Sequence, residues 1–219
     1  MVPIARNGQK DEVDRMKQLK TVCLISMCAA ALAGCSKQPA VTAAKHPKHL
    51  WIIAADSAGQ QVAYHAKWMT IGKGILTRAS ISGDLVELIA FGRNSQVIAG
   101  PGNLNPDSAL QAASGFTYGA VGDPSNVIGL LNTVATNLAQ NPPSAQPMVV
   151  IISSGDATPA NAKAFATAAA PLCAVPNIRI AAMNIPLRYE PKWKAAFKPM
   201  GSHFYIDPTV NDQAVSRLF

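Results

Sequence analysis

MVVIIS, residues 148–153, is apolar at every position before its closing serine, rich in β-branched side chains and flanked by turn-forming residues. A strand with one face in water alternates apolar and polar residues, so an unbroken apolar run calls for cover on both faces. LWIIAA (50–55) has the same character. Two such strands restrict the fold sharply: helices must lie on both sides of a sheet, which is the α/β arrangement with mostly parallel strands.

The segments between these runs fit that arrangement. The spacing predicts a helix over 60–78, where Val62, Ala66, Met69 and Lys73 recur near every fourth position. LVELIAF (85–91) and SQVIAG (95–100) are separated by Gly92-Arg93-Asn94, a hairpin that adds an antiparallel edge strand. A short helix is expected near 106–113, with Asn105 as N-cap. A longer one over 125–140 carries Val127, Leu130, Leu131, Val134 and Leu138 on one face, and the prolines of NPPSAQP end it. Thr158-Pro159 offers an N-cap and a first-turn proline for an Ala-rich helix to about Cys173. IRIAAMNI (178–185) reads as a strand, PKWKAAFKPM as a short helix, HFYI as a last strand and NDQAVSRLF as a terminal helix opened by Asn211 or Asp212. The expectation is a three-layer, doubly wound, mostly parallel sheet with one antiparallel edge strand.

The first 48 residues follow different rules. Lys17 and Lys20 form a basic start, and Thr21–Ala31 an apolar run within the roughly 7–15 residues of a secretory signal and short of the roughly 20 that span a bilayer. Leu32-Ala33-Gly34-Cys35 follows, and the chain then turns polar. This order resembles the bacterial lipobox, whose cysteine thiol receives a diacylglycerol and becomes the new N-terminus, so Cys35 is the expected lipid attachment site. Residues before Met16 are polar and mixed in charge, unlike a short basic signal start, and Met16 reads as the real beginning. The expected organisation is an upstream extension at 1–15, a lipoprotein signal peptide at 16–34, a tether at 35–48 and one domain at 49–219. Ser36 rather than aspartate follows the cysteine, which in enterobacterial lipoproteins goes with transfer to the outer membrane. The expected location is the cell envelope, lipid-anchored in the outer membrane and facing the periplasm.

Charge and cysteines narrow the classes further. The formal charge is +7, and the 14 basic and 9 acidic residues from Cys35 onward leave +5. No basic run interleaved with aromatics occurs, so no nucleic-acid partner is expected; the diffuse charge fits residence near an anionic surface. Cys23 and Cys28 leave with the signal and Cys35 carries lipid, which leaves Cys173 as a small core residue. His46 and His49 are three apart, but Pro47 breaks the helix that a shared metal would need. GKGILT (72–77) lacks the spacing of a phosphate loop.

Taken in order, LWIIAADSAG, LVELIAFGRNSQV, GDPSNVIGLLNTV, MVVIISSGDATP, IRIAAMNI and GSHFYID resemble the von Willebrand factor A domain across nearly the whole chain from residue 49. That family commonly holds a divalent cation at the carboxyl edge of its sheet, through an Asp-x-Ser-x-Ser loop, a threonine and a second aspartate. Carried over, the resemblance places the first aspartate on Asp56, the serines on Ala58 and Gln60, the threonine near Ser125 and the second aspartate on Ser154, with Asp156 displaced by two. Most ligands are thus altered. No resident cofactor is expected, a Mg²⁺ on Asp56, Ser125 and Asp156 being the alternative. In an open α/β sheet ligands dock on the loops at the strands' carboxyl ends, here 56–60, 119–126 and 153–158, so the expected rim for a protein partner is Asp56, Ser57, Ser125, Ser154 and Asp156.

The expected function is therefore a lipid-anchored envelope protein that binds another envelope protein, touches the membrane through its N-terminal lipid and is not an enzyme. A second reading is an envelope serine hydrolase using the Ser153–Asp156 loop with His203. SSGDA (153–157) lacks the Gly-x-Ser-x-Gly elbow, however, and His203 before HFYI reads as a half-buried structural imidazole.

Overall fold

The two apolar runs become neighbouring central strands. β1 (His49–Asp56) and β4 (Gln146–Ile152) pair in parallel, with Ile52 opposite Val149 and Ala54 opposite Ile151. Side chains alternate across the pleat. Leu50, Ile52, Ala54, Val149 and Ile151 face α2 (Val127–Gln140), α3 (Ala162–Cys173) and α4 (Glu190–Ala196). Trp51, Ile53, Ala55, Met148, Val150 and Ile152 face α1 (Val62–Ser82) on the other side. The computed structural model describes residues 48–58, 62–105, 107–108, 111, 122, 124–153 and 158–209, with 62–70 described by backbone alone. Residues Lys45–Phe219 form one compact unit, and among the described residues those that fill its two cores lie between Leu50 and Ile206.

Six strands run in the order β3-β2-β1-β4-β5-β6, where β2 is Leu85–Phe91, β3 Ser95–Gly102, β5 Arg179–Met183 and β6 Phe204–Asp207. Every pairing is parallel except the β2–β3 hairpin. The three-layer, doubly wound sheet with one antiparallel edge strand is thus the architecture found. No described helix is long and apolar enough to cross a membrane.

Local chemistry sets the ends of the elements. The buried face of α2 is Val127, Leu130, Leu131, Val134 and Leu138, as the spacing requires, and Asn126 caps it by accepting from the Gly129 N–H at 2.9 Å. Asn105 likewise accepts from the Ser108 N–H at 2.7 Å. α1 runs four residues further than its periodicity indicates. Gly83, at φ 73°, stops it: the Gly83 and Asp84 N–H groups donate back to the Ser80 and Ala79 carbonyls.

Three expectations are corrected. α3 starts at Ala162, capped by Asn161 rather than Thr158. The Thr158 hydroxyl instead accepts the indole N–H of Trp193 at 2.9 Å, because that ring is fully buried against Phe165 and Phe197 and needs an acceptor. His203 is exposed at the end of the 3-10 turn Lys198–His203 rather than half-buried. β3 continues through Pro101, which an edge strand tolerates because one side of it needs no ladder donor. The expected C-terminal helix, Cys35, the signal and most of the tether lie outside the described residues.

Two buried carboxyls stand out in this frame. Asp84, just before β2, accepts from the Lys48 and His49 N–H groups at 3.0 and 3.1 Å, from His49 Nδ1 at 3.0 Å and from Trp51 Nε1 at 3.2 Å. It ties the start of β1 to the start of β2. Glu87 is buried within β2, at the register shift opposite β3, and accepts from Asn137 Nδ2 of α2 at 2.7 Å.

Asp84→Ala strips the acceptor from four donors and is expected to lower the unfolding free energy by about 3 kcal/mol, read as a lower urea midpoint at pH 7. The two carboxyls also set opposite pH responses. Burial alone would raise the Asp84 pKa, but the His49 side chain and the other donors outweigh it and hold the carboxyl below its ordinary value. Its stabilisation is therefore complete above the unfolded value of about 3.9 and is lost as pH falls through the native one. Burial raises the Glu87 pKa despite the Asn137 bond, so its stabilisation is complete below about 4.3 and is lost as pH rises through the native value. Glu87→Gln, which keeps an oxygen for Asn137, is expected to raise the melting temperature at pH 7 and to leave the acid-side loss intact.

Candidate functional site

The sheet reverses its winding between β1 and β4: β2 and β3 lie on one side of this pair, β5 and β6 on the other. In open α/β sheets the crevice at the carboxyl ends of the strands, at such a switch point, is where ligands bind. Asp56 closes β1 at that point and is 5% exposed. Its Oδ1 accepts from Ser125 Oγ at 2.6 Å and from the Ala58 N–H at 3.1 Å, the second bond closing a turn within its own loop.

Ser125 reaches Asp56 because two loops are stitched together. Asn126, the cap of α2, donates its N–H to the Gly92 carbonyl at 2.8 Å and Nδ2 to the Arg93 carbonyl at 3.4 Å. The Arg93 N–H donates to the Gly122 carbonyl at 2.7 Å. The β2–β3 turn therefore fixes the segment that carries Ser125. Ser57 points elsewhere: its N–H extends the ladder to the Phe91 carbonyl, and its Oγ donates back to the Ala55 carbonyl.

Past β4, Ser153 is buried and held by its backbone. Its N–H donates to the Met183 carbonyl at 3.1 Å, and its carbonyl accepts Asn184 Nδ2 at 2.7 Å. Asn184 has φ 61°, a left-handed conformation that asparagine tolerates better than most residues. Ser154, Asp156 and Gln60 lie outside the described residues. A cleft of about 400 Å³ beside Ser125 is bounded by Arg93, Asn126, Thr158 and Pro159.

The sheet register separates the two residues of the hydrolase reading. His203 precedes Phe204, which pairs with Ile180, which in turn pairs with Val149. His203 is thus level with Met148, five residues before Ser153 along the strand axis, or about 16 Å, and it is also two strands away. Ser153 and His203 sit at opposite edges of the sheet. A base must lie within about 3 Å of the nucleophile, so this pair cannot form.

No family model matches the chain, and no curated protein matches it in sequence. Solved structures do match. An aerotolerance-related membrane protein from Bacteroides fragilis superposes with a TM-score of 0.56 at 12% identity, over 77% of this chain and 94% of its own. The VWA domain of SpRpn10 gives 0.56 at 12% identity, over 78% and 93%. A von Willebrand factor type A structure from Catenulispora acidiphila gives 0.54 at 12% identity, over 78% of this chain and 40% of its own. The fold is the von Willebrand factor A fold.

The cation associated with von Willebrand factor A domains can be tested against these side chains. Among the described residues, Asp56 and Ser125 bring side-chain oxygen to the matching place. Ala58 brings none, and Ser57 Oγ is turned away. Asp56 Oδ1 already serves two donors, and no group of three or more His, Cys, Asp or Glu gathers among the described residues. Mg²⁺ asks for near-octahedral oxygen coordination at about 2.0–2.1 Å, which the described side-chain oxygens do not by themselves supply. Melting temperatures in EDTA and in excess Mg²⁺ are expected to coincide. An ion bound to the native state at a hundred times its Kd would add about 2.7 kcal/mol, a shift plain in any melting curve.

Proposed function

We propose that this is a lipid-anchored cell-envelope protein whose von Willebrand factor A domain captures another envelope protein through the carboxyl-edge rim, without a resident metal. The observation that carries the reading is the part-buried Asp56–Ser125 contact. It ties the two described oxygen-bearing side chains at the matching metal position to each other, which supports a reading in which the surrounding loops are the recognition surface. Loops at this edge, held on a rigid sheet, can offer N–H groups and hydroxyls to a partner directly. The anchor rests on the Leu-Ala-Gly-Cys sequence ending at Cys35, and the envelope location draws further support from the Bacteroides fragilis membrane protein of the same fold.

Replacing Asp56, Ser125 and Asp156 together with alanine is expected to leave export and lipidation intact while weakening partner capture after crosslinking in membranes. Wild-type capture by a folded triple variant moves the interface off the rim. Cys35→Ser is expected to abolish incorporation of a labelled fatty acid; label retained on that variant removes the anchor.

A further inference from the structure

Opposite the rim, the amino edge of the sheet presents a different surface. Lys48 precedes β1, Arg179 opens β5, and Lys198 and His203 bound the 3-10 turn that leads into β6. Arg78 lies near the end of α1, which returns to the same edge. All five are exposed. The described acids offset Lys48, Arg179 and Lys198 only in part. Asp56 and Asp207 end their strands at the far edge, Glu87 is buried within β2, and Glu190 pairs with Lys194 on α4. Asp84 belongs to the amino edge but is buried beneath four donors, and β3, being antiparallel, ends at this edge, so the exposed Asp107 five residues beyond it is the described acid that faces the cations.

Apolar surface lies on this same edge. Ile81, in the last turn of α1, is 74% exposed. A cleft of about 630 Å³ opens between the C-terminal ends of α2 and α3, lined by Leu138, Pro142, Pro143, Val175 and Pro176. Gln146 on its wall donates its N–H to the Lys48 carbonyl at 2.9 Å, so the cleft adjoins the cations.

We infer that the amino edge docks directly on an anionic phospholipid bilayer, with Lys48, Arg78, Arg179 and Lys198 against the headgroup phosphates and Ile81 with the cleft lip in the interface. The docking requires no acyl chain and so goes beyond attachment at Cys35. Charge complementarity identifies the occupant. From β1 to β6 the cations span about 14 Å of sheet instead of converging on one pocket, and the cleft beside them has no charged lining residue among those described. Spread cations beside exposed apolar groups match a planar, fluid array of phosphates. Each Lys or Arg close to such a surface strengthens binding by roughly fivefold.

The compact unit Lys45–Phe219 tests this by co-sedimentation with vesicles of phosphatidylcholine alone or mixed with phosphatidylglycerol. Binding is expected on the mixed vesicles, weakening as salt shortens the screening length, and absent on phosphatidylcholine. Replacing Lys48, Arg78, Arg179 and Lys198 with glutamine is expected to lower affinity by at least about a hundredfold, and Arg179→Gln with Lys198→Gln alone by about 25-fold. Ile81→Ser is expected to lower it severalfold without changing the salt response, and Asp56→Ala to leave it unchanged. Melting curves confirm that each variant is folded. Equal binding to both vesicle types, or wild-type binding by the folded quadruple variant, overturns the inference. So does retention of polyglutamate with vesicles left unbound, which marks an acidic protein partner instead.

Discussion

A strand that is apolar on both faces can leave neither face in water, and β1 and β4 are such strands lying side by side. Everything else in the domain is arranged around that demand. One face takes α2, α3 and α4, the other takes α1, and the remaining strands widen the sheet on either side. The demand also produces the polar contacts at the amino edge. Trp51, turned toward α1, is fully buried and its indole N–H needs an acceptor. Asp84 supplies it and gathers the first backbone groups of β1 with it. A side chain chosen for core packing thus fixes how two strands begin.

At the opposite edge the loops are organised by asparagine. Asn126 caps α2 and binds both Gly92 and Arg93, Asn161 caps α3, and Asn184 holds the Ser153 carbonyl from a left-handed backbone. Asparagine suits these places because its side chain both donates and accepts and because it tolerates positive φ. The Asp56–Ser125 contact depends on this scaffold, since Ser125 is positioned by its neighbour and not by a strand or helix of its own.

Strand order, the two-sided core and the buried face of α2 were legible because they follow from periodicity, a property carried by many residues at once. Asp56 and Ser125 were also brought to one place, since β1 and the loop before α2 meet wherever this fold forms. What periodicity could not reveal was which polar residue would answer which. Thr158 read as a cap, and only the burial of Trp193 determines that Thr158 is taken by an indole while Asn161 caps the helix. Asp84 carries no local sequence signal, because its donors come from over thirty positions away. Ser153 and His203 looked compatible as sequence spacing, but parallel strands place a residue after one strand far from a residue before another.

β1 has a mechanical meaning as well. It is eight residues long, about 27 Å, with the preceding chain joining at its first residue and Asp56 at its last. Seven residue pairs hold it to β2 and seven to β4. A pull between its two ends runs along the strand, so both ladders are loaded in shear and must yield together. A pull on β6, with four residues and one neighbour, would unzip its bonds in turn. Tension between whatever holds the chain before Lys48 and whatever engages the rim therefore passes through the most resistant strand in the domain.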